Sequence, residues 1–163
     1  MKNKVWIGII AVVVLVVGWA AFRPELLFVN KTVNETLPVT AASAQGDSPT
    51  ELAMGSFHGV AHETKGTASL YQLEEGKRVL RLSNFETSNG PDVRVFLIGA
   101  NDAKDNAAVK SQGFIELGSL KGNKGDQNYD IPADVDLSKY NAVTIWCNRF
   151  NVNFATAPLS KQG

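Results

Sequence analysis

Gly66-Thr-Ala-Ser-Leu-Tyr-Gln-Leu-Glu-Glu-Gly-Lys-Arg-Val-Leu-Arg-Leu-Ser-Asn-Phe85 decides the architecture. Two runs, Gly66 to Leu73 and Lys77 to Phe85, flank Glu74-Glu75-Gly76. That turn is short enough for a hairpin, and its glycine accepts positive φ. In the second run Leu80 and Leu82 alternate with Val79 and Arg81. One face is therefore buried, and the other is wet or only partly covered.

The same texture extends in both directions. Strands are predicted over Ser56 to Ala61, Val93 to Ile98, Phe114 to Leu120, Gln127 to Ile131, Ala142 to Phe150 and Val152 to Ala157. Gly, Asn and Asp clusters separate them roughly every eight to twelve residues, the pattern of an all-β antiparallel sandwich or barrel-like domain. Gly118, in the middle of its run, predicts a bulge or sharp bend. Asn101 to Ser111 is a loop or one short helix, and Asp134 to Tyr140 a corner with a helical turn at most. No long amphipathic helices alternate with the strands, which excludes a parallel α/β sheet.

Toward the N-terminus the reading changes. Val5 to Phe22 carries no charge. As a helix it would span about 27 Å, close to the thickness of a bilayer core. Trp6 and Trp19 lie near its ends, where amphipathic rings favour the interface, and Lys2 and Lys4 precede it. These features predict a single transmembrane anchor over 1–22, with its N-terminus in the cytosol and the rest outside at the cell membrane. A cleaved signal peptide is the alternative, but the apolar run is longer than the usual signal core. Residues 23–53, with Pro24, Pro38 and Pro49, show no sustained periodicity and read as a flexible extracytoplasmic linker. The β-domain is placed at 54–163.

Charge narrows the function. Basic and acidic side chains number sixteen each. A chain with no basic surplus lacks the charge needed to neutralise phosphates, so nucleic acid is not an expected partner.

The only cysteine, Cys147, lies on the strand predicted over Ala142 to Phe150. Exported domains usually pair their thiols, and this one has no partner in its own chain. Val143, Ile145 and Cys147 share a face, so the sulfur points inward or sits at the rim of the core; Trp146 projects to the other face. Burial as a small hydrophobe is one reading. A working thiol is the other, and it needs partial exposure or a neighbouring cation such as Arg149. His58 and His62 are the only histidines. On a strand they lie roughly 13 Å apart, too far for one metal unless the chain bends at Gly59. A bend could gather them with Cys147 and Met54 as a copper-type set, but the compact ligand loop of such sites is missing. That both histidines are polar side chains on the surface is the plainer reading. No Cys-x-x-Cys-His or paired-cysteine spacing is present, so the prosthetic group, if any, is unidentified. No independent catalytic constellation is legible.

Several blocks carry a family resemblance. They are Gly55-Ser-Phe-His-Gly-Val-Ala-His62, Gly66-Thr-Ala68, the run from Leu80 to Leu97, Leu117 to Pro132, and Tyr140-Asn-Ala-Val-Thr-Ile-Trp-Cys-Asn-Arg-Phe-Asn-Val-Asn-Phe-Ala155. In order and spacing they resemble the DM-thirteen domain family over about Met54 to Leu159. The resemblance implies a β-sandwich-like extracytoplasmic module, often membrane-tethered, found in animals beside DOMON and cytochrome-b-type modules. It implies a redox or electron-transfer role with a redox protein as partner, and its working cysteine maps onto Cys147. His58, His62 and Trp146 are the accompanying candidates for holding a redox group. A non-enzymatic surface binding or scaffold module, with Cys147 as core filler, is the competing expectation.

Overall fold

The computed structural model of the chain describes residues 2–22, 28–38 and 49–161. The strands are β1 (Thr32–Asn34), β2 (Thr50–Ser56), β3 (His58–Gly59), β4 (Lys65–Gln72), β5 (Arg78–Glu86), β6 (Val93–Ile98), β7 (Phe114–Ser119), β8 (Lys124–Ile131), β9 (Ala142–Cys147), β10 (Val152–Pro158) and β11 (Ser160–Lys161). The helices are α1 (Lys2–Phe22) and α2 (Asn106–Ser111).

Two sheets form a sandwich-like fold. One runs β1-β8-β5-β4-β2-β11, the other β3-β10-β9-β6-β7. Every pairing is antiparallel except β1 with β8. The hairpin read from the sequence is β4–β5, turned by a short 3-10 segment at Glu74–Gly76. Leu80 and Leu82 point into the core, as their alternation requires. Between Leu82 and Phe85 the register shifts, and Asn84 takes φ 49°, a conformation Asn tolerates better than most residues. The extra residue keeps Phe85 in the core beside Leu82. Gly118 has φ 138°, and the β6–β7 register breaks next to it, as its position in the run predicts.

The main core lies between the sheets. The first sheet contributes Ala68, Leu70, Leu80, Leu82, Phe85 and Tyr129; the second contributes Val93, Val95, Leu97, Val143, Ile145 and Phe154. Each fully buried large side chain is worth about 1.5–3 kcal/mol relative to exposure. A second, smaller core covers the outer face of the second sheet. There Phe96, Ile98, Ala142 and Trp146 pack beneath Ala100, Ala103 and Val109 from the loop and α2.

Two parts of the stretch expected to be linker belong to the sheet: β1, and the first half of β2, which begins at Thr50. The first strand of the domain proper is therefore placed earlier than Ser56 to Ala61. Neither part shows alternation strong enough to register as a strand. What holds β1 is a close backbone approach. A Cβ on Gly122 would lie 2.4 Å from the Lys31 carbonyl oxygen, and one on Gly125 only 2.0 Å from that of Val33. These glycines let residues 31–33 lie against β8.

α1 is apolar on every side, and its described side chains, 4–20, are exposed. Among the described residues no helix is long and apolar enough to cross a membrane. The uncharged run from Val5 to Phe22 reaches two positions beyond the last described side chain of α1.

Candidate functional site

Cys147 is the last residue of β9, a strand paired on both sides. Its Cα partners are Val152 on β10 and Val93 on β6. The side chain points into the sandwich and is 0% exposed, within the cluster that contains Val93, Ile145 and Phe154. The thiol is free. Of the two orientations open to it in the sequence, the inward, fully covered one is adopted.

The other candidates do not converge on the sulfur. Trp146 is buried on the opposite face of β9 in the outer core, as alternation dictates. It faces the ring of Phe96 at 6.4 Å, and Phe96 stacks on half-exposed Phe114 at 4.8 Å. Lys110 Nζ sits 5.5 Å from the indole centroid, within cation–π range. His58 is on β3 at the edge of the second sheet, opposite Thr156. Its Nε2 lies 2.8 Å from Asp102 Oδ1, which ties β3 to the covering loop. The His62 ring packs against that of Phe154 with centroids 4.0 Å apart and the planes tilted by 53°. Phe154 belongs to the same core cluster as Cys147, so His62 covers the rim of that core from outside. Met54 is on β2 in the other sheet and exposed. Among the described residues, no group of three or more His, Cys, Asp or Glu side chains could hold a metal ion.

Two features escaped the sequence reading. The first is a buried polar cluster on the outer face of β9 and β10. The single hydroxyl proton of Thr144 is shared between two acceptors, Asn153 Oδ1 at 2.6 Å and the Ala155 carbonyl at 2.9 Å. Asn153 Nδ2 donates to the Ala103 carbonyl at 2.9 Å, and Thr156 Oγ1 to the same oxygen at 3.0 Å. All three side chains are fully buried. Satisfied networks of this sort fix one arrangement, because each broken bond strands a buried polar atom. Here they fasten the covering loop to the sheet. The sequence carried little signal for it: Thr144 alternates with core residues on its own strand, but Asn153 and Thr156 are three apart, and the register shift between Asn153 and Ala155 interrupts the alternation between them.

The second is at the end of the sandwich beside Val93. Loops 88–92 and 119–123 and the segment 29–31 enclose a cavity of about 300 Å³. Its lining is mixed, with Val29, Pro91, Val93 and Leu120 beside Asn89, Asp92 and Asn123, and hydrogen bonds tie the surrounding segments together. Asn30 Oδ1 accepts from Asn89 Nδ2 and from Asn123 Nδ2, both at 2.9 Å. Asp92 accepts from Arg94 Nε at 2.8 Å and from Asn148 Nδ2 at 3.0 Å. The Arg94 guanidinium, with help from Asn148, holds the Asp92 carboxyl below the usual carboxylate range against the opposing effect of burial. Glu35 is also held low: burial raises it, but its bonds to Lys121 and to the Asn128 amide outweigh that.

No curated protein and no solved structure shows a significant match to this chain. The family model described as electron transfer DM13 matches residues 56–159, more than half of the chain and all of the two-sheet body from the end of β2 to the end of β10. The chain belongs to the electron transfer DM13 family.

Proposed function

We propose that this chain is an extracytoplasmic accessory of an electron-transfer assembly, tethered to the membrane by α1, and that it acts by positioning a surface for a redox partner rather than by open thiol chemistry. The redox context comes from the family. The observation that carries the mode of action is the complete burial of Cys147. A sulfur working by nucleophilic or exchange chemistry needs access to its reaction partner. Tethering is supported by a helix that is apolar on all sides, whose Val, Ile, Leu and Trp side chains are left exposed. An all-round apolar helix calls for an apolar surrounding. The uncharged run and the leading lysines argue for insertion with the domain outside.

A second reading keeps Cys147 as the redox centre, reached by small oxidants and thiols when the 148–151 turn at the end of its strand opens. The family description favours it. One experiment separates the two. The full chain, wild type and Cys147→Ala, is exposed to hydrogen peroxide and then to a glutathione redox buffer, and Cys147 is followed by mass spectrometry together with the visible spectrum. The positioning role expects an unmodified native thiol and identical, colourless spectra. Sulfenic acid or a mixed disulfide on native Cys147, or a pigment lost in Cys147→Ala, hands the assignment to the second reading.

A further inference from the structure

We infer that the end of the sandwich carrying loops 88–92, 119–123 and 148–151 rests on the bilayer surface, with Phe150 in the lipid interface. The inference builds on the tethering by α1 proposed above and adds an orientation to it. It starts from the docking of β1. Asn30 and Lys31 are already bound to the domain, through Asn89, Asn123 and the pairing of Lys124 N with the Lys31 carbonyl. Only residues 23–27 separate Phe28 from the end of α1. Fully extended, that many residues reach at most about 20 Å. A free linker over 23–53 would let the domain drift in any orientation; a tether this short does not.

The attachment point selects which end is held. β1 runs parallel to the start of β8, so Phe28 to Lys31 lie at the end where Lys124 pairs with Glu86. Val93 and Cys147 mark the same end of the second sheet. Asn148 donates its backbone N–H to the Asp92 carbonyl at 2.8 Å, which fixes the β9–β10 turn there too. The opposite end, with the 132–140 corner, lies one strand length away, about 20–25 Å.

The surface at the tethered end suits a headgroup layer. Phe28 is 80% exposed, Val29 62% and Phe150 54%. Lys31, also exposed, follows Phe28 and Val29 in the chain and, with Val29, lines the cavity formed with loops 88–92 and 119–123. Aromatic side chains beside a cation are favoured where acyl chains meet phosphates. The occupant is thus the outer surface of the bilayer that holds α1.

The test uses the full chain in nanodiscs of phosphatidylcholine and phosphatidylglycerol. Nitroxides are placed at Phe150→Cys and Ser119→Cys on the tethered end and at Asp134→Cys on the far corner. The wild type, with its buried cysteine, is the labelling control. Alkaline carbonate extraction is run in parallel. The expected result is a severalfold higher ratio of oxygen to nickel-chelate accessibility at 150 than at 134, with 119 between them. Equal, aqueous values at 150 and 134 in a carbonate-resistant chain overturn the orientation and leave the anchor standing. Extraction by carbonate overturns both.

Discussion

The burial of Cys147 sets a rate that can be measured. To reach its sulfur, a reagent must wait for β9 to leave the sandwich, and β9 is paired on both sides. Full separation is close to global unfolding. Domains of this size are stable by about 5–15 kcal/mol. At about 1.4 kcal/mol per decade, the lower bound alone slows a reaction that proceeds through the open state by about three to four decades. A cheaper route exists, because Cys147 is the terminal residue of its strand. Fraying of the 148–151 turn must break the Asn148 backbone bond to the Asp92 carbonyl and the side-chain bond to its carboxylate. Those two bonds and the Val152 pairing keep the protection near the lower bound rather than at the global value. Native wild-type protein should therefore react with an aromatic disulfide reagent at least about a thousandfold more slowly than protein in guanidinium. Asn148→Ala should recover about one to two decades of that rate by loosening the turn alone. The assay is absorbance-monitored thiol titration across a denaturant series. Native labelling within about tenfold of the unfolded rate would refute the reasoning, since it would mean the core at Cys147 opens at almost no cost.

Three further outcomes are expected. Gly125→Ala puts a methyl group where the Val33 carbonyl lies, at a φ of 92°, and should cost about 2–4 kcal/mol while freeing 31–36 to exchange amide hydrogens; unchanged exchange there would contradict the docking of β1. Asn153→Ala removes the centre of the buried outer network and should cost about 2–4 kcal/mol in urea unfolding, against which a loss below about 1 kcal/mol would show the network to be dispensable. The lowered Asp92 carboxyl contributes stability that is present above the unfolded carboxylate value near 3.9 and is lost as the pH falls through its lower folded value. Asp92→Asn should therefore flatten part of the fall in Tm below about pH 4, by under about 1 kcal/mol because the pair is partly exposed, and an unaltered acid limb would count against the assignment.

The two-sheet body was legible because its signal is local. Alternation in 78–85 and 142–147 fixes which side chains turn inward, and that is enough to place Leu80, Leu82, Ile145 and Cys147 in one core and Trp146 in the other. β1 was illegible for the opposite reason. Three residues carry too little pattern, and their place is set by Gly122 and Gly125, about ninety positions downstream, which create the space they fill. The candidate site fared in between. Spacing could place His58 and His62 on one strand or bend, but not send one to Asp102 and the other onto Phe154. The first depends on a covering loop fastened by the buried Asn153 and Thr156, and the second on a turn whose Val60, Ala61 and His62 amides bond the β10 backbone.

The same alternation constrains what the sulfur and the surface can share. Cys147 and Trp146 are neighbours in sequence, yet β9 stands between them: one is locked into the core between the sheets, the other into the layer beneath α2. A partner docking on the outer layer would meet Phe114 and Lys110 over the indole, and not the thiol. A partner docking on the tethered end would meet the Asp92–Asn148 turn, whose loosening frays the end of β9 that carries Cys147. If the membrane occupies that end, it covers the turn and closes the cheaper route to the sulfur. Thiol protection should then be greater in nanodiscs than in detergent, and a protection equal in both would separate the burial of the cysteine from the orientation of the domain.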